Sequence, residues 1–178
     1  TGNSLASYHN LNDPVDAILL DDGRVLVAEQ GSGNLVAIDS KNDKVREVLV
    51  SGISGMAALY PLSKEEVYLS KIDEGQLLRI NIESGKKSVV IDGLAQPEGF
   101  DIAPDGTIVL AEVGKKRIIR IDPKTGAVSE VARNLAIGYP AANGSPEVFI
   151  TTGVGVSDSG TIYVSSDLNT AIYKITPE

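Results

Sequence analysis

The sequence predicts an all-β protein assembled from repeated four-stranded antiparallel sheets, on three observations. First, the set Pro14-Val15-Asp16, Asp22-Gly23, Ala28-Glu29 and Ile38-Asp39 returns 83 positions later as Pro97-Glu98-Gly99, Asp105-Gly106, Ala111-Glu112 and Ile121-Asp122. Second, Ile80-Asn81 lies 42 positions after Ile38-Asp39 and 41 before Ile121-Asp122, which halves the true period. Third, apolar and polar residues alternate over short runs bounded by turn residues, the strand signature, and no helical periodicity competes with it. The 18 glycines and an aromatic content of 4% suit many short strands joined by tight turns. Four strands in a unit of about 40 to 45 residues is the arithmetic of a β-propeller blade.

The third unit shows the elements in order: strand A over residues 99–103, B over 107–112, C over 117–122 and D over 127–133. Pro104-Asp105-Gly106 joins A to B, and Pro123-Lys124-Thr125-Gly126 joins C to D, each supplying a glycine where a hairpin needs positive φ. The blades fall at about 14–51, 54–93 and 97–135, with the fourth at 147–176 completed by residues 1–11. The step from Gly106 to Gly160 is 54, so an insertion of about a dozen residues, roughly 136–151, precedes the last blade. The stretch from Thr1-Gly2 to Pro14 matches Ser84-Gly85 to Pro97, so the chain opens and closes at a C-to-D turn. Two architectures satisfy this pattern: a closed four-blade ring sealed by the N-terminal strand, or part of a six-bladed ring. An open ring would expose blade faces and is expected to pair with a second copy as a homodimer.

Composition excludes several functions. Sixteen Lys and Arg against 24 Asp and Glu give a net charge of −8, a field that repels nucleic acid and favours cations. With no cysteine and a single histidine, His9, there is no thiolate metal site and little scope for a zinc cluster or a Ser-His-Asp triad. No apolar run approaches the roughly 20 residues that span a bilayer. The first residue is Thr1, with no basic-then-apolar leader ahead of it, which reads as a processed product or a fragment, with secretion or a periplasmic location both open.

The run from Pro97-Glu98-Gly99-Phe100-Asp101-Ile102 through Asp105-Gly106-Thr107-Ile108-Val109-Leu110-Ala111-Glu112, followed by Arg117-Ile118-Ile119-Arg120-Ile121-Asp122-Pro123, resembles the NHL repeat and the related blades of the SMP-30/gluconolactonase-like and strictosidine-synthase-like superfamily. The same frame is weaker around 13–39, 65–82 and 158–175. The resemblance implies a propeller, commonly six-bladed, in a superfamily of hydrolases, lyases and interaction modules. In its lactonases, carboxylates and asparagines hold a divalent cation at the channel mouth. Glu98 looks like their Glu-Gly opening, which makes Glu98 and Asp16 the candidate ligands for Ca²⁺, Mg²⁺ or Zn²⁺, although their Asn-Gly motif has no match at the strand A starts.

The ends of strand B form a second candidate ring of Glu29, Lys71, Glu112 and Ser166 with Asp167 beside it. A lysine between glutamates of neighbouring blades suits an ion-pair network, or else a polar ligand site with Lys71 as anion contact. Tyr139 and Phe149, on the inserted loop with Gly138-Tyr139-Pro140, are candidate contact residues or packing for that loop. Gly31-Ser32-Gly33-Asn34 occupies a hairpin, which rules against a phosphate loop, and Lys115-Lys116-Arg117 reads as a solvated hairpin tip. Asn143-Gly144-Ser145 is a formal glycosylation triplet. The expected function is a binding module that presents its channel mouth to a peptide, glycan or small molecule. The alternatives are a metal-assisted lactonase and a structural repeat that assembles through open blade edges.

Overall fold

A computed structural model describes residues 7–139 and 152–176. The chain is an all-β, four-blade propeller of antiparallel sheets, and the helical content of the described residues is one 3-10 turn at Val113–Lys115. Blade 1 comprises β1 (Pro14–Leu19), β2 (Arg24–Glu29), β3 (Asn34–Asp39) and β4 (Asn42–Val50). Blade 2 holds β5 (Met56–Pro61), β6 (Glu66–Lys71), β7 (Gln76–Asn81) and β8 (Lys87–Ile91). Blade 3 holds β9 (Pro97–Ile102), β10 (Ile108–Glu112), β11 (Arg117–Ile121) and β12 (Val128–Arg133), and blade 4 holds β13 (Val154–Val156), β14 (Ile162–Ser166) and β15 (Ala171–Ile175). Each sheet runs in chain order from the inner strand outwards, the simplest topology for consecutive hairpins.

Period-two alternation decides which blade each side chain meets, because successive residues of a strand point to opposite faces. In β2, Leu26 and Ala28 face forward into the cluster shared with blade 2, where they meet Leu78 and Ile80. Tyr68 and Leu77 of blade 2 meet Phe100, Ile108, Leu110, Ile119 and Ile121 of blade 3, and the rings of Tyr60 and Phe100 lie 6.3 Å apart in the same layer. Val109, Ala111 and Ile118 of blade 3 then meet Ile162 and Val164 of blade 4. The core is therefore three stacked interfaces rather than one central nucleus, as a repeat architecture requires.

The seam between blades 4 and 1 differs. Tyr163 and Ile172, on the forward face of blade 4, remain 42% and 65% exposed. The rear face of blade 1, with Val27, Val36 and Ile38, is covered by Tyr8 and Leu11. Residues 7–11, expected to finish the outer strand of blade 4, form no strand, and β15 pairs with β14 alone among the described residues. Arg46 of β4 donates to the carbonyls of His9 and Asn10, and the Tyr8 hydroxyl donates to the Ser40 carbonyl, which ties this segment to blade 1. Residues 1–6 of the expected strand, and the glycosylation triplet and Phe149 of the insertion, lie outside the described residues. No helix among the described residues is long and apolar enough to cross a membrane.

Candidate functional site at the axial mouth

The ends of the B strands are clasps. Glu29 accepts the Asn12 N–H at 3.2 Å through Oε1 and the Ser32 hydroxyl at 2.8 Å through Oε2. The incoming loop is then zipped by backbone, with Gln30 N donating to Asp13 O at 3.0 Å and Gly31 N to Asn12 O at 3.1 Å. Blade 3 repeats the device: Ala95 N donates to Glu112 Oε1 at 2.9 Å, Val113 N to Gln96 O at 3.2 Å and Gly114 N to Ala95 O at 3.0 Å. Asp13 and Gln96, each followed by a proline, both take a left-handed backbone at φ 53° and 50° to make the turn. Gly31 and Gly114 lie close against the loop: a Cβ at Gly31 would displace the Asn12 side chain, and one at Gly114 would press on Ala95 at 3.0 Å. The glycines of Gly31-Ser32-Gly33-Asn34 thus serve loop packing.

Glu112 carries further partners, Lys115 at 2.8 Å and Arg117 at 2.5 Å, although its own side chain is fully buried. Burial alone pulls its carboxyl upward, but Lys115, the Ala95 N–H and Arg117 together outweigh that and hold it below the ordinary carboxylate value. Lys116 also points inward, donating to the Ile137 carbonyl and, at 2.8 Å, to the Gly138 carbonyl. The expectation of a solvated basic tip holds for Lys115, which is exposed while pairing with the glutamate, and is corrected for Arg117, which answers the same glutamate half-buried, and for Lys116, which holds the loop before blade 4. Glu112, three and five positions upstream of Lys115 and Arg117, was the sequence signal for the first two. Ser166 plays the clasp role in blade 4 by donating to the Ala136 carbonyl.

The inter-blade charge network expected around Lys71 is not formed among the described residues. Lys71 pairs with Glu74 of its own hairpin at 2.8 Å, while Glu29 and Glu112 are satisfied inside blades 1 and 3. Four B-strand ends pointing along separate blades leave each charge nearer to its own loop than to the next blade.

The inner strands face the axis, and here carboxylates reach between blades. Asp16 accepts its neighbour Ala17 N–H through Oδ1 and, through Oδ2 at 2.7 Å, the Leu59 N–H of blade 2. Asp101 repeats this from blade 3, taking the Ile102 N–H and, at 2.7 Å, the Val156 N–H of blade 4. Inner-strand N–H groups lack a ladder partner on the axial side, and these aspartates supply one. Buried Glu98 takes the Thr152 N–H through Oε2 at 2.6 Å, while Gly99 N donates to Thr152 O at 3.0 Å. A Cβ on Gly99 would overlap that Thr152 oxygen, so only glycine permits the approach. Ser70, wholly buried, bridges the Ala58 N–H and the Glu98 carbonyl. Neither Asp101, Thr152 nor Ser70 was legible as an axial residue from the sequence, since partners on the next blade carry no spacing signal.

Together the inner strands line an axial cavity of about 230 Å³ walled by Val15, Asp16, Ala57, Ala58, Phe100 and Gly153, among others. At the Glu98 side Asp167 accepts the Tyr139 N–H at 2.6 Å, so Tyr139 is placed by its backbone while its ring stays exposed. The second Asp167 oxygen is buried without a hydrogen-bond partner among the described residues. Burial pushes the Glu98 carboxyl above its ordinary value; the Thr152 N–H counters this, Asp167 adds to it and Lys116 lowers it. As for a cation, Asp16 and Glu98 stand in blades 1 and 3, each committed to a backbone N–H of the following blade. No group of three His, Cys, Asp or Glu side chains that could hold a metal ion occurs among the described residues.

Against known proteins, no family model and no curated sequence matches the chain. Solved structures do. Virginiamycin B lyase from Staphylococcus aureus, in an inactive variant crystallised with quinupristin, is similar at 19% identity with a TM-score of 0.63, over 92% of this chain and 52% of that one. The calcium-binding protein regucalcin from Agrobacterium tumefaciens is similar at 14% identity with a TM-score of 0.68, over 92% and 56%. The WD40 propeller domain of Doa1 follows at 17% identity and 0.68, over 93% and 51%. The chain thus spans about half the length of these propellers, and at such identities the likeness is one of fold.

Proposed function

We propose that the chain is a binding module that presents its axial mouth to one protruding group of a peptide, glycan or small molecule. The observation that carries this reading is the division of labour at the mouth. The B-strand charges are spent on clasping loops, which leaves a cavity walled mostly by small and apolar residues, with Phe100 and Leu59 the largest and Asp16 the one charged side chain among the described residues. At about 230 Å³ it falls below the roughly 300–1,000 Å³ of pockets that enclose whole drug-sized ligands, so it suits a side chain or a sugar unit. Asp16 on its wall and a net charge of −8 favour a neutral or cationic group. Among propellers of similar fold, one is described as calcium-binding and one was crystallised with quinupristin, so this architecture accommodates ligands of different size.

Plugging the cavity tests the reading. A Cβ on Gly153 meets the Ser165 hydroxyl at 3.3 Å and no other atom within 4 Å, so Gly153→Leu adds bulk at the mouth once that hydroxyl gives by a few tenths of an ångström. Peptide and glycan arrays probed with both proteins should return ligands that the plugged variant loses while its melting temperature is kept. Equal array profiles for the two proteins would refute an axial site.

A metal-assisted lactonase draws support from one feature, the burial-raised Glu98 carboxyl beside Asp167 and Lys116. Against it stands the commitment of Asp16 and Glu98, each of which already accepts a backbone N–H of the following blade. Calorimetric titration with CaCl₂, MgCl₂ and ZnCl₂ discriminates: saturable heat abolished by Glu98→Gln and Asp16→Asn supports the lactonase, and its absence supports the binding module.

A further inference from the structure

The two unshared faces of the propeller copy the two sides of one of its internal interfaces. On the rear of blade 1, Val25 stands opposite Ile38 and Val27 opposite Val36. The rear of blade 3 has Ile108 opposite Ile121 and Leu110 opposite Ile119 in the same register. In blade 3 these positions pack against Tyr68 and Leu77, which blade 2 presents on its forward face. Blade 4 presents an equivalent forward face: Tyr163 stands opposite Lys174 and Ser165 opposite Ile172, as Tyr68 stands opposite Arg79 and Ser70 opposite Leu77. Tyrosine, serine and a branched aliphatic residue recur at matched positions. Yet Tyr68 is 7% exposed and Tyr163 is 42% exposed, with Ile172 at 65%.

The receiving face is also incomplete. Tyr8 and Leu11 cover part of the rear of blade 1, as Ile91 and Leu94 do at the rear of blade 3. Beside them a hollow of about 310 Å³ remains, lined by Tyr8, Leu11, Val15, Ala17, Val25 and Val27. Ala17 stands opposite Val27 as Phe100 stands opposite Leu110, so the hollow overlies the positions where blade 3 receives blade 2. A hollow on blade 1 whose lining is apolar apart from Asp16 and the Tyr8 hydroxyl, and an exposed tyrosine-bearing face on blade 4, are a matched acceptor and donor.

We propose that the forward face of blade 4 of one copy docks on the rear face of blade 1 of a second copy, with Tyr163 entering this hollow and Ile172 packing beside it. The occupant is a second copy because this chain carries both halves of the contact: Tyr163 and Ile172 stay exposed on blade 4, and on blade 1 Tyr8 and Leu11 bury Val27, Val36 and Ile38 while leaving the hollow beside Val25 open. A head-to-tail contact repeated twice closes a ring of eight blades, inside the range of about four to eight that propellers adopt. The proposal concerns the seam; Val15 and Asp16 line both the hollow and the axial cavity, so the two readings are separated by their readouts.

The chain has no cysteine, so introduced thiols report without background. An equimolar mixture of Val25→Cys and Tyr163→Cys proteins, oxidised and run without reductant, should yield a covalent dimer that neither protein forms alone. Light scattering should give twice the chain mass, and the double variant Tyr163→Glu, Ile172→Glu should return it to one chain mass with an unchanged β-sheet circular dichroism spectrum, since both side chains are exposed in the single chain, and with a melting temperature that no longer depends on protein concentration. Three results would overturn the proposal: a single chain mass for the unaltered protein at the highest concentration it tolerates; a dimer that survives the double variant; or, in a protein carrying both cysteines, a disulfide within one chain in place of the cross-link between chains. None of these readouts involves ligand binding, so the axial reading stands or falls separately.

Discussion

Blades 3 and 4 present the same register positions on their forward faces, and only blade 3 has a neighbour for them. Ile118 stands opposite Ala111 and is fully buried against blade 4, whereas Ile172 stands opposite Ser165 and is mostly in solvent. The polar residues follow suit: Arg120 is paired with Asp105 at 2.9 Å and bonded to Thr107, while Lys174 at the matched position is exposed. The repeat encodes an interface at every blade, but the stabilisation it gives depends on whether a second blade arrives. A residue in this fold is therefore valued by the seam it faces, and matched substitutions expose the difference.

The largest effect is expected from Ile118→Ala, which should cost about 2–5 kcal/mol, because deleting a buried aliphatic side chain loses transfer free energy and leaves a cavity. Denaturant unfolding monitored by tyrosine fluorescence measures it. Next, Glu112→Ala should cost about 3 kcal/mol, the low end for breaking a buried ion pair since Lys115 and Arg117 both reach solvent. Glu29→Ala, which removes only an N–H and a hydroxyl acceptor, should cost about 1–2 kcal/mol in the same assay. If the two glutamates prove equal, the clasp rather than the ion pair sets the strength of this site.

Gly99→Ala drives a methyl into the Thr152 oxygen and should cost about 1–3 kcal/mol by overpacking. Hydrogen exchange should then show β13 opening ahead of β5, since Gly99 joins blade 4 to blade 3 and not blade 2 to blade 1.

Acid and base act oppositely on the two glutamates of blade 3. The folded pKa of Glu112 is depressed, so its contribution is present above the ordinary carboxylate value and is lost as pH falls through the lower, folded value. The folded pKa of Glu98 is raised, so its contribution is present below the ordinary value and is lost as pH rises through the higher, folded one. Unfolding free energies measured from acid to neutral pH should therefore lose their rise in Glu112→Gln and lose their decline in Glu98→Gln. A Glu98→Gln protein that retains the decline would assign it to another group. The smallest change is Ile172→Ala, within about 0.5 kcal/mol for the isolated chain, as for other exposed positions. A larger cost that grows with protein concentration would be the mark of the blade 4 to blade 1 seam.

The sequence by itself determined the repeat, the period, the four strands of each of the first three blades and the turns, because alternation and glycine placement act over a few residues and leave a local trace. It also marked Glu29 and Glu112 as equivalent. What only the tertiary structure decided is how their charges are spent. Glu29 and Glu112 close on loops of their own blades, Lys71 turns to Glu74, and Asp16 and Glu98 reach N–H groups of the next blade. Those partners are set by the rotation between neighbouring sheets, a geometry that no spacing along the chain records. The path of residues 7–11 follows the same logic: an outer strand needs a neighbour to ladder with, and Arg46 and Ser40 hold this segment on blade 1 instead.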